Sequence, residues 1–275
     1  MKSFFCALFV VLLAHASSAF ATSLDDFKNQ SGVINIAGGT AHIPVMMGAA
    51  KNIMQYNDKI NITVAGGGSG AGVKQVGEGL VQIGNTGRAL KDGEIKQCGL
   101  ISYPFAIDGV AVALHKSNKV SDLSPEQVRN VFNGKITNWK ELGGEDIPIT
   151  LYTREDGSGT REVFVEILLE KGEISQHAVI VNSNGAMKTA IAHDQGGIGY
   201  IGIGYVDASV KGASINGIQP TQENAANGTY KVTRFLYMNT KGAPDTLTAS
   251  FIKYITASSD GKELIEKAGY IPITK

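Results

Sequence analysis

Short apolar runs bounded by glycine alternate along the chain with segments whose apolar residues recur every three or four positions. The first pattern predicts buried strands, and the second predicts helices that pack on them. Their regular succession predicts an α/β fold with mostly parallel sheets. We expect strands over residues 33–37, 60–65, 81–85, 106–115, 147–152, 197–206 and 233–239. We expect helices over residues 43–56, 73–80, about 160–169, 186–193, 244–257 and 261–267, and one that starts at Ser124-Pro125.

Three of the predicted strand-to-helix junctions share one composition, glycine beside a hydroxyl residue. They are Gly38-Gly39-Thr40-Ala41, Gly68-Ser69-Gly70 and Ser158-Gly159-Thr160. Glycine and serine also cap helices for structural reasons, so one such junction alone favours a structural role. In an open α/β sheet, however, ligands bind at the carboxyl ends of the strands, where all three junctions lie. Three junctions together therefore predict a shared ligand site.

The third junction indicates the kind of ligand. Arg154 precedes Ser158-Gly159-Thr160, which we expect to open a helix. The first N–H groups of a helix have no partner within it, and the helix dipole makes that end positive. The hydroxyls and the planar, permanently charged guanidinium add further donors that suit a tetrahedral oxyanion. The segment therefore predicts a site for a compact anion.

Residues 1–21 have the pattern of a secretory signal peptide, with Lys2, a short apolar core and the cleavage site Ala19-Phe20-Ala21. A membrane anchor is the alternative, but the apolar core is short for a span. Removing Lys2 from 25 basic side chains leaves 24 against 25 acidic ones, which argues against general nucleic-acid binding. Only Cys98 would remain, so the mature chain forms no internal disulfide.

The whole mature chain resembles a known family, the periplasmic phosphate-binding proteins of bacterial phosphate ABC transporters. The resemblance rests on five segments: Gly67-Gly68-Ser69-Gly70-Ala71-Gly72-Val73-Lys74-Gln75, Phe132-Asn133-Gly134-Lys135-Ile136-Thr137-Asn138-Trp139, residues 154–161, Gly196-Gly197-Ile198-Gly199-Tyr200 and Ala268-Gly269-Tyr270-Ile271-Pro272. It implies a class II binding-protein fold, with two α/β lobes joined by two crossing strands and phosphate held in the cleft between them. The crossing strands would be 106–115 and 233–239, which gives one lobe of residues 22–108 plus 236–275 and another of residues 109–235.

The resemblance also implies the ligands. The phosphate donors would be Thr40, Ala41, Ser69, Arg154, Ser158, Gly159 and Thr160, with Gly39 and Gly70 as neighbouring candidates. Asp156 would brace Arg154, as the loop carboxylate of the family does.

One position departs from the family pattern. Some members carry an aspartate after the strand that matches residues 81–85, where it accepts the proton of monohydrogen phosphate, but this chain has Gly87. Asp108 is the candidate substitute, with a hinge or turn residue as its structural alternative. Arg88 is either a second anion ligand or a solvated surface charge.

The sequence thus predicts a secreted phosphate-binding protein that delivers its ligand to a membrane permease and catalyses nothing itself. We expect a monomer without a cofactor. We also expect no metal site, because the histidines lack metal-ligand spacing and most of them are expected at the surface. Three alternatives remain open: a binding protein for sulfate, molybdate or tungstate, a phosphatase with Ser69 or Ser158 as nucleophile, and a secreted scavenger without a permease. The phosphatase would need a general base or a metal beside its serine.

Overall fold

The computed structural model describes residues 24–273, so the predicted signal peptide lies outside the described residues. The strands are β1 (Gly32–Gly38), β2 (Ile60–Gly67), β3 (Ile83–Thr86), β4 (Leu100–His115), β5 (Asp122–Leu123), β6 (Thr150–Arg154), β7 (Val179–Val181), β8 (Gly197–Gly202), β9 (Val210–Gly212), β10 (Ser214–Ile215), β11 (Thr233–Lys241) and β12 (Ile271–Pro272). The α-helices are α1 (Ile43–Tyr56), α2 (Gly68–Gly77), α3 (Asp92–Cys98), α4 (Pro125–Phe132), α5 (Gly159–Ile167), α6 (Asn184–Ala192), α7 (Gln222–Ala226), α8 (Thr246–Ala257) and α9 (Ser259–Lys267). Short 3-10 helices cover Leu24–Phe27, Thr40–His42, Trp139–Leu142 and Ile203–Tyr205.

The main sheet has the strand order β2-β1-β3-β11-β4-β8-β6-β7. At one end β1 pairs in parallel with β2 and β3, and at the other β6 pairs in parallel with β7 and β8. The long strands β4 and β11 run antiparallel to each other between these two ends. The expectation of mostly parallel sheets is therefore wrong for the middle of the molecule, because apolar periodicity does not encode the direction of strand pairing.

The two largest hydrophobic cores of the described residues lie toward opposite ends of this antiparallel pair. The first contains residues from β1, α1, α8 and the first half of β4, including Phe105 and Ala106. The second contains residues from α4, α5, β8 and the second half of β4, including Val110 and Val112. β4 therefore passes from one core into the other at residues 107–109, and β11 does the same around Arg234. We call this crossing region the seam.

Local sequence patterns correctly predicted several helix boundaries. Helix α1 has the predicted bounds, and Ser124 caps α4 as expected: its Oγ accepts from the Gln127 N–H at 3.1 Å, and its N–H donates to Gln127 Oε1 at 2.8 Å. Helix α2 begins at Gly68, five residues before the prediction. The left-handed φ of 118° at Gly67, which glycine adopts freely, turns the chain directly from β2 into that helix.

Candidate functional site

The three glycine junctions converge on one small cavity at the seam. It is small, because the space open to the centre of a water molecule is about 10 Å³, roughly what one water needs. All seven of the principal predicted ligands line it: Thr40, Ala41, Ser69, Arg154, Ser158, Gly159 and Thr160. The other lining residues are Gly39, His42, Gly68, Gly87 and Arg234. The fold thus brings together segments more than a hundred residues apart in sequence.

Each of the four hydroxyls that line the cavity already accepts a hydrogen bond from the protein. Their donors lie 2.9–3.3 Å away: the backbone and side-chain N–H groups of Asn184 for Thr40, the Gly87 N–H for Ser69, the Arg161 N–H for Ser158 and Arg234 Nη1 for Thr160. Each of these bonds uses a lone pair of the hydroxyl oxygen. The single proton of each hydroxyl is not used in them and can be donated to another group. The four hydroxyls are therefore arranged to donate to a ligand.

Two helices begin at the cavity. α2 starts at Gly68 and α5 starts at Gly159, so the first-turn N–H groups of both face the same region. The positive ends of two helix dipoles add to the hydroxyl donors and favour an anion.

Arg154 is the last residue of β6 and is only 1% exposed. Its Nε donates to Glu155 Oε2 at 2.9 Å and to the Val181 carbonyl at 3.1 Å. Its Nη2 donates to Glu155 Oε1 at 2.7 Å and to the Asn182 carbonyl at 3.3 Å. Nη1 is buried and has no hydrogen-bond partner among the residues that the structure describes. An unpaired buried donor is costly, so this nitrogen is available for a ligand in the cavity.

The brace of Arg154 differs from the prediction. Glu155, not Asp156, forms the two-pronged ion pair with the guanidinium. Asp156 has a side chain that is 97% exposed and pairs with Arg161 at 3.2 Å. β6 ends at Arg154 and Asp156 already lies in the turn that follows, so the alternation of side chains along a strand does not apply to these two carboxylates.

A second buried arginine was not among the predicted ligands. Arg234 lies on β11 directly opposite Asp108 on β4, and both of its nitrogens Nε and Nη2 donate to Asp108 Oδ2, at 3.0 and 2.7 Å. Nη1 donates to Thr160 Oγ1 at 2.9 Å. The available signal was an arginine within an apolar strand, which must find a counter-ion if that strand is buried.

Comparison with known proteins agrees with this geometry. A PBP superfamily domain matches residues 22–259. The phosphate-binding protein PstS of Bacillus subtilis is 36% identical, over 98% of this chain and 92% of that protein. The chain belongs to the PstS family of phosphate-binding proteins. The resemblance inferred from the sequence motifs is confirmed.

Solved structures support the same assignment. A substrate-binding protein of Clostridium perfringens with bound phosphate has a TM-score of 0.83 and 37% identity, over 88% of this chain and 100% of the other. An ABC-type phosphate transport receptor of Vibrio cholerae has a TM-score of 0.68 and 34% identity, over 86% and 99%. The two-lobed binding-protein fold predicted from the sequence is therefore confirmed.

Four of the five secondary candidates lie outside the lining of the cavity: Asp156, described above, and Arg88, Gly70 and Asp108. Arg88 pairs with Glu94 and Glu162, each at 2.8 Å, and its role as a second anion ligand stays a prediction. The Arg88 hydrogen bonds lower the pKa of Glu94. Gly70 instead donates its N–H to the Gly157 carbonyl at 2.9 Å.

Asp108, the last of these four candidates, is fully buried behind Arg234. Burial raises the pKa of its carboxyl, and the Arg234 guanidinium opposes that rise. Asp108 does not line the cavity; it lies within β4 at the seam, where it is the counter-ion of Arg234.

His42 lies at the cavity and not at the surface, where most of the histidines were expected. It is fully buried, with Nδ1 at 3.1 Å from the Gly39 carbonyl oxygen and the ring 5.5 Å from that of Phe105. Burial, together with the positive charge of Arg234, lowers the pKa of His42 to about 3. The ring is thus neutral at neutral pH and adds no charge to the site.

Contacts across the seam hold the two sides of the cavity together. The Tyr205 hydroxyl donates to the Thr40 carbonyl at 2.8 Å, and Asn184 donates to the Thr40 hydroxyl. Gly70 reaches Gly157, and Arg88 reaches Glu162. These contacts describe a closed arrangement of the binding-protein fold.

Proposed function

We propose that this protein captures inorganic phosphate outside the cytoplasm and delivers it to the membrane permease of an ABC transporter. The observation that carries the proposal is the buried guanidinium of Arg154, whose Nη1 has no protein partner and whose residue lines a cavity ringed by four donor hydroxyls. A relative with bound phosphate and 37% identity supports the choice of ligand.

In this proposal each cavity group has a defined role. The hydroxyls of Thr40, Ser69, Ser158 and Thr160 donate to the phosphate oxygens, as do the N–H groups of Ala41 and Gly159. Arg154 supplies charge-assisted bonds, which are about twice as strong as neutral ones. Glu155 fixes the guanidinium so that little side-chain entropy is lost when the anion binds.

The lobe boundaries are also part of the proposal. One lobe comprises residues 22–108 plus 236–275 and the other residues 109–235, so β4 and β11 are the two connections between them. Phosphate contacts both lobes only when they meet, and binding would therefore shift the population toward the closed arrangement. The closed lobes would present one composite surface to the permease.

The signal-peptide pattern of residues 1–21 supports a location in the periplasm. Cleavage after Ala21 would release the chain, as a monomer, into the periplasm. Within residues 24–273 no helix has the length and apolar character needed to cross a bilayer.

Another tetrahedral oxyanion remains the second candidate ligand, because Gly87 offers no carboxylate to accept the phosphate proton and every hydroxyl at the cavity is arranged as a donor. Sulfate carries no proton and needs donors only. For the phosphatase alternative, Ser69 and Ser158 each accept from a backbone N–H, where a nucleophile would need a base to accept its proton.

Isothermal titration calorimetry tests the proposal. The mature protein, freed of bound phosphate by unfolding and refolding, is titrated with phosphate, arsenate, sulfate and molybdate at pH 6 and pH 8. We expect one phosphate per chain and sulfate binding at least about a hundredfold weaker, a difference of roughly 2.7 kcal/mol. Tighter sulfate binding would replace phosphate with the second candidate, and sustained turnover of a chromogenic phosphate ester would favour the enzyme.

A further inference from the structure

Arg234 combines three properties that a purely structural arginine does not need. It is only 6% exposed, it lines the cavity, and it lies at the seam where β4 and β11 pass between the two cores. A buried ion pair contributes little net stability, because the cost of removing both charges from water offsets their attraction. A pair in this position therefore calls for a role beyond stability.

The hydrogen bonds of Arg234 leave it able to contact a ligand. A guanidinium has five N–H donors, and the bonds to Asp108 and Thr160 use three of them. Asp108 holds the Nε and Nη2 side of the fork, which fixes the direction of Nη1. The bond from Nη1 to Thr160 places this nitrogen beside a hydroxyl of the cavity wall.

Arg234 fills the space that a side chain at position 87 would occupy. Gly87 is the position at which this chain departs from the family pattern. A Cβ atom at position 87 would lie 2.7 Å from Arg234 Nη1 and 3.1 Å from its Cζ. A side chain at position 87 and the guanidinium in its present position therefore exclude each other. Glycine at this position makes room for a cation where a side chain would otherwise approach the ligand.

Resting on the phosphate site proposed above, we propose that Arg234 is a second cationic ligand of the bound anion, held in place by Asp108 and admitted by Gly87. The anion would then lie between two guanidiniums, Arg154 and Arg234. Their carboxylate partners, Glu155 and Asp108, are not among the residues that line the cavity. Two positive charges suit a dianion such as monohydrogen phosphate.

The test removes the ion pair as a whole, because Arg234→Gln alone would leave Asp108 buried and unpaired. The double variant Asp108→Asn/Arg234→Gln is compared with the wild type by calorimetric titration with inorganic phosphate, and its fold is checked by circular dichroism. Arg129→Gln is the matched control, since Arg129 pairs with Glu170 on the surface of the second core. We expect the double variant to bind phosphate at least about tenfold more weakly and the control to be unchanged.

A double-mutant cycle separates direct binding from action through Thr160. Thr160→Ala is combined with the charge-pair variant, and the four dissociation constants are compared. We expect the loss caused by removing Arg234 to persist in the Thr160→Ala background. A loss that disappears there would make Arg234 only a positioning residue, and a folded double variant with wild-type affinity would overturn the proposal entirely.

Two further results distinguish a failure of the proposed phosphate-binding function from a failure of the proposal for Arg234. If the wild type itself does not bind phosphate, the proposed function fails, and this inference fails with it. If the double variant does not fold, Arg234→Lys takes its place, because it keeps a charge beside Asp108 but has no guanidinium fork. We expect several-fold weaker phosphate binding from the lysine variant, and unchanged binding would contradict a direct role for Arg234.

Discussion

Replacing Arg154 with alanine should weaken phosphate binding severely while leaving the fold intact. Arg154 is 1% exposed, and two of its three nitrogens are already held by Glu155 and two carbonyls. Only Nη1 remains for the anion. Truncating one partner of a buried, hydrogen-bonded charge pair costs about 2–5 kcal/mol. This range corresponds to a loss of affinity between about thirtyfold and several thousandfold.

Stability should change much less than affinity. Glu155, which loses its partner in this variant, has a side chain that is 28% exposed and can regain water. Arg154→Lys should restore part of the affinity, because the ammonium keeps the charge but not the planar fork. Calorimetric titration of both variants, with Arg129→Ala as the surface control, measures these effects. An Arg154→Ala protein that binds phosphate within threefold of the wild type would refute the assignment of this cavity as the site.

Three more predictions follow from contacts at the seam. Gly159→Ala should reduce phosphate affinity with little loss of melting temperature, because the new methyl would collide with Ser69 Oγ, and calorimetry with thermal melting measures both. Since folding lowers the pKa of His42 from 6.5 to about 3, the unfolded chain binds the extra proton between these values. The free energy of unfolding in urea should therefore fall as pH falls below 6.5, with this residue contributing up to about 1.4 kcal/mol per pH unit. Glu162→Gln should weaken phosphate binding by up to about fivefold in titrations at low salt, because its pair with Arg88 joins the two sides of the closed cavity and a partly exposed pair contributes at most about 1 kcal/mol.

Each of these three has a matched control. Gly93→Ala adds a methyl that meets no atom within 4 Å and should bind phosphate normally. His177→Gln removes an exposed histidine and should leave the pH slope unchanged, whereas a wild-type slope of zero between pH 6 and pH 4 would contradict the burial argument for His42. Glu170→Gln breaks the pair of Glu170 with Arg129, which does not join the two sides of the cavity. An equal loss of phosphate affinity in this variant would contradict the argument that Glu162 acts by joining the two sides.

Local sequence patterns predicted the convergence of the donor loops. Glycine with serine or threonine at the end of an apolar run marks a strand-to-helix junction, and the carboxyl ends of parallel strands share one edge of a sheet. Thr40 and Ser69 could therefore be assigned to one site from the sequence, since β1 and β2 are parallel neighbours, whereas Ser158 follows β6, which runs in the opposite direction. The bounds of α1 and the capping of α4 by Ser124 were accessible for the same reason, since both depend on residues that are close in the sequence.

Features that depend on pairing across the sheet could not be predicted from the sequence. The antiparallel pairing of β4 with β11 places Arg234 opposite Asp108, but these residues are 126 positions apart. Neither residue alone indicates that it meets the other. The choice of Glu155 over Asp156 as the brace of Arg154 depends on which way each side chain leaves the chain. That direction follows from the backbone at the end of β6 and not from the order of the residues.

The position of the bound anion is the most direct test of the central claim. Crystals grown with arsenate, a tetrahedral oxyanion that shares the geometry of phosphate, would reveal it through the anomalous scattering of arsenic. We predict a single strong peak within the cavity, with arsenate oxygens in hydrogen-bonding distance of Arg154 Nη1 and of the Ser69 and Thr160 hydroxyls. A strong peak elsewhere on the protein, with none in this cavity, would contradict the account.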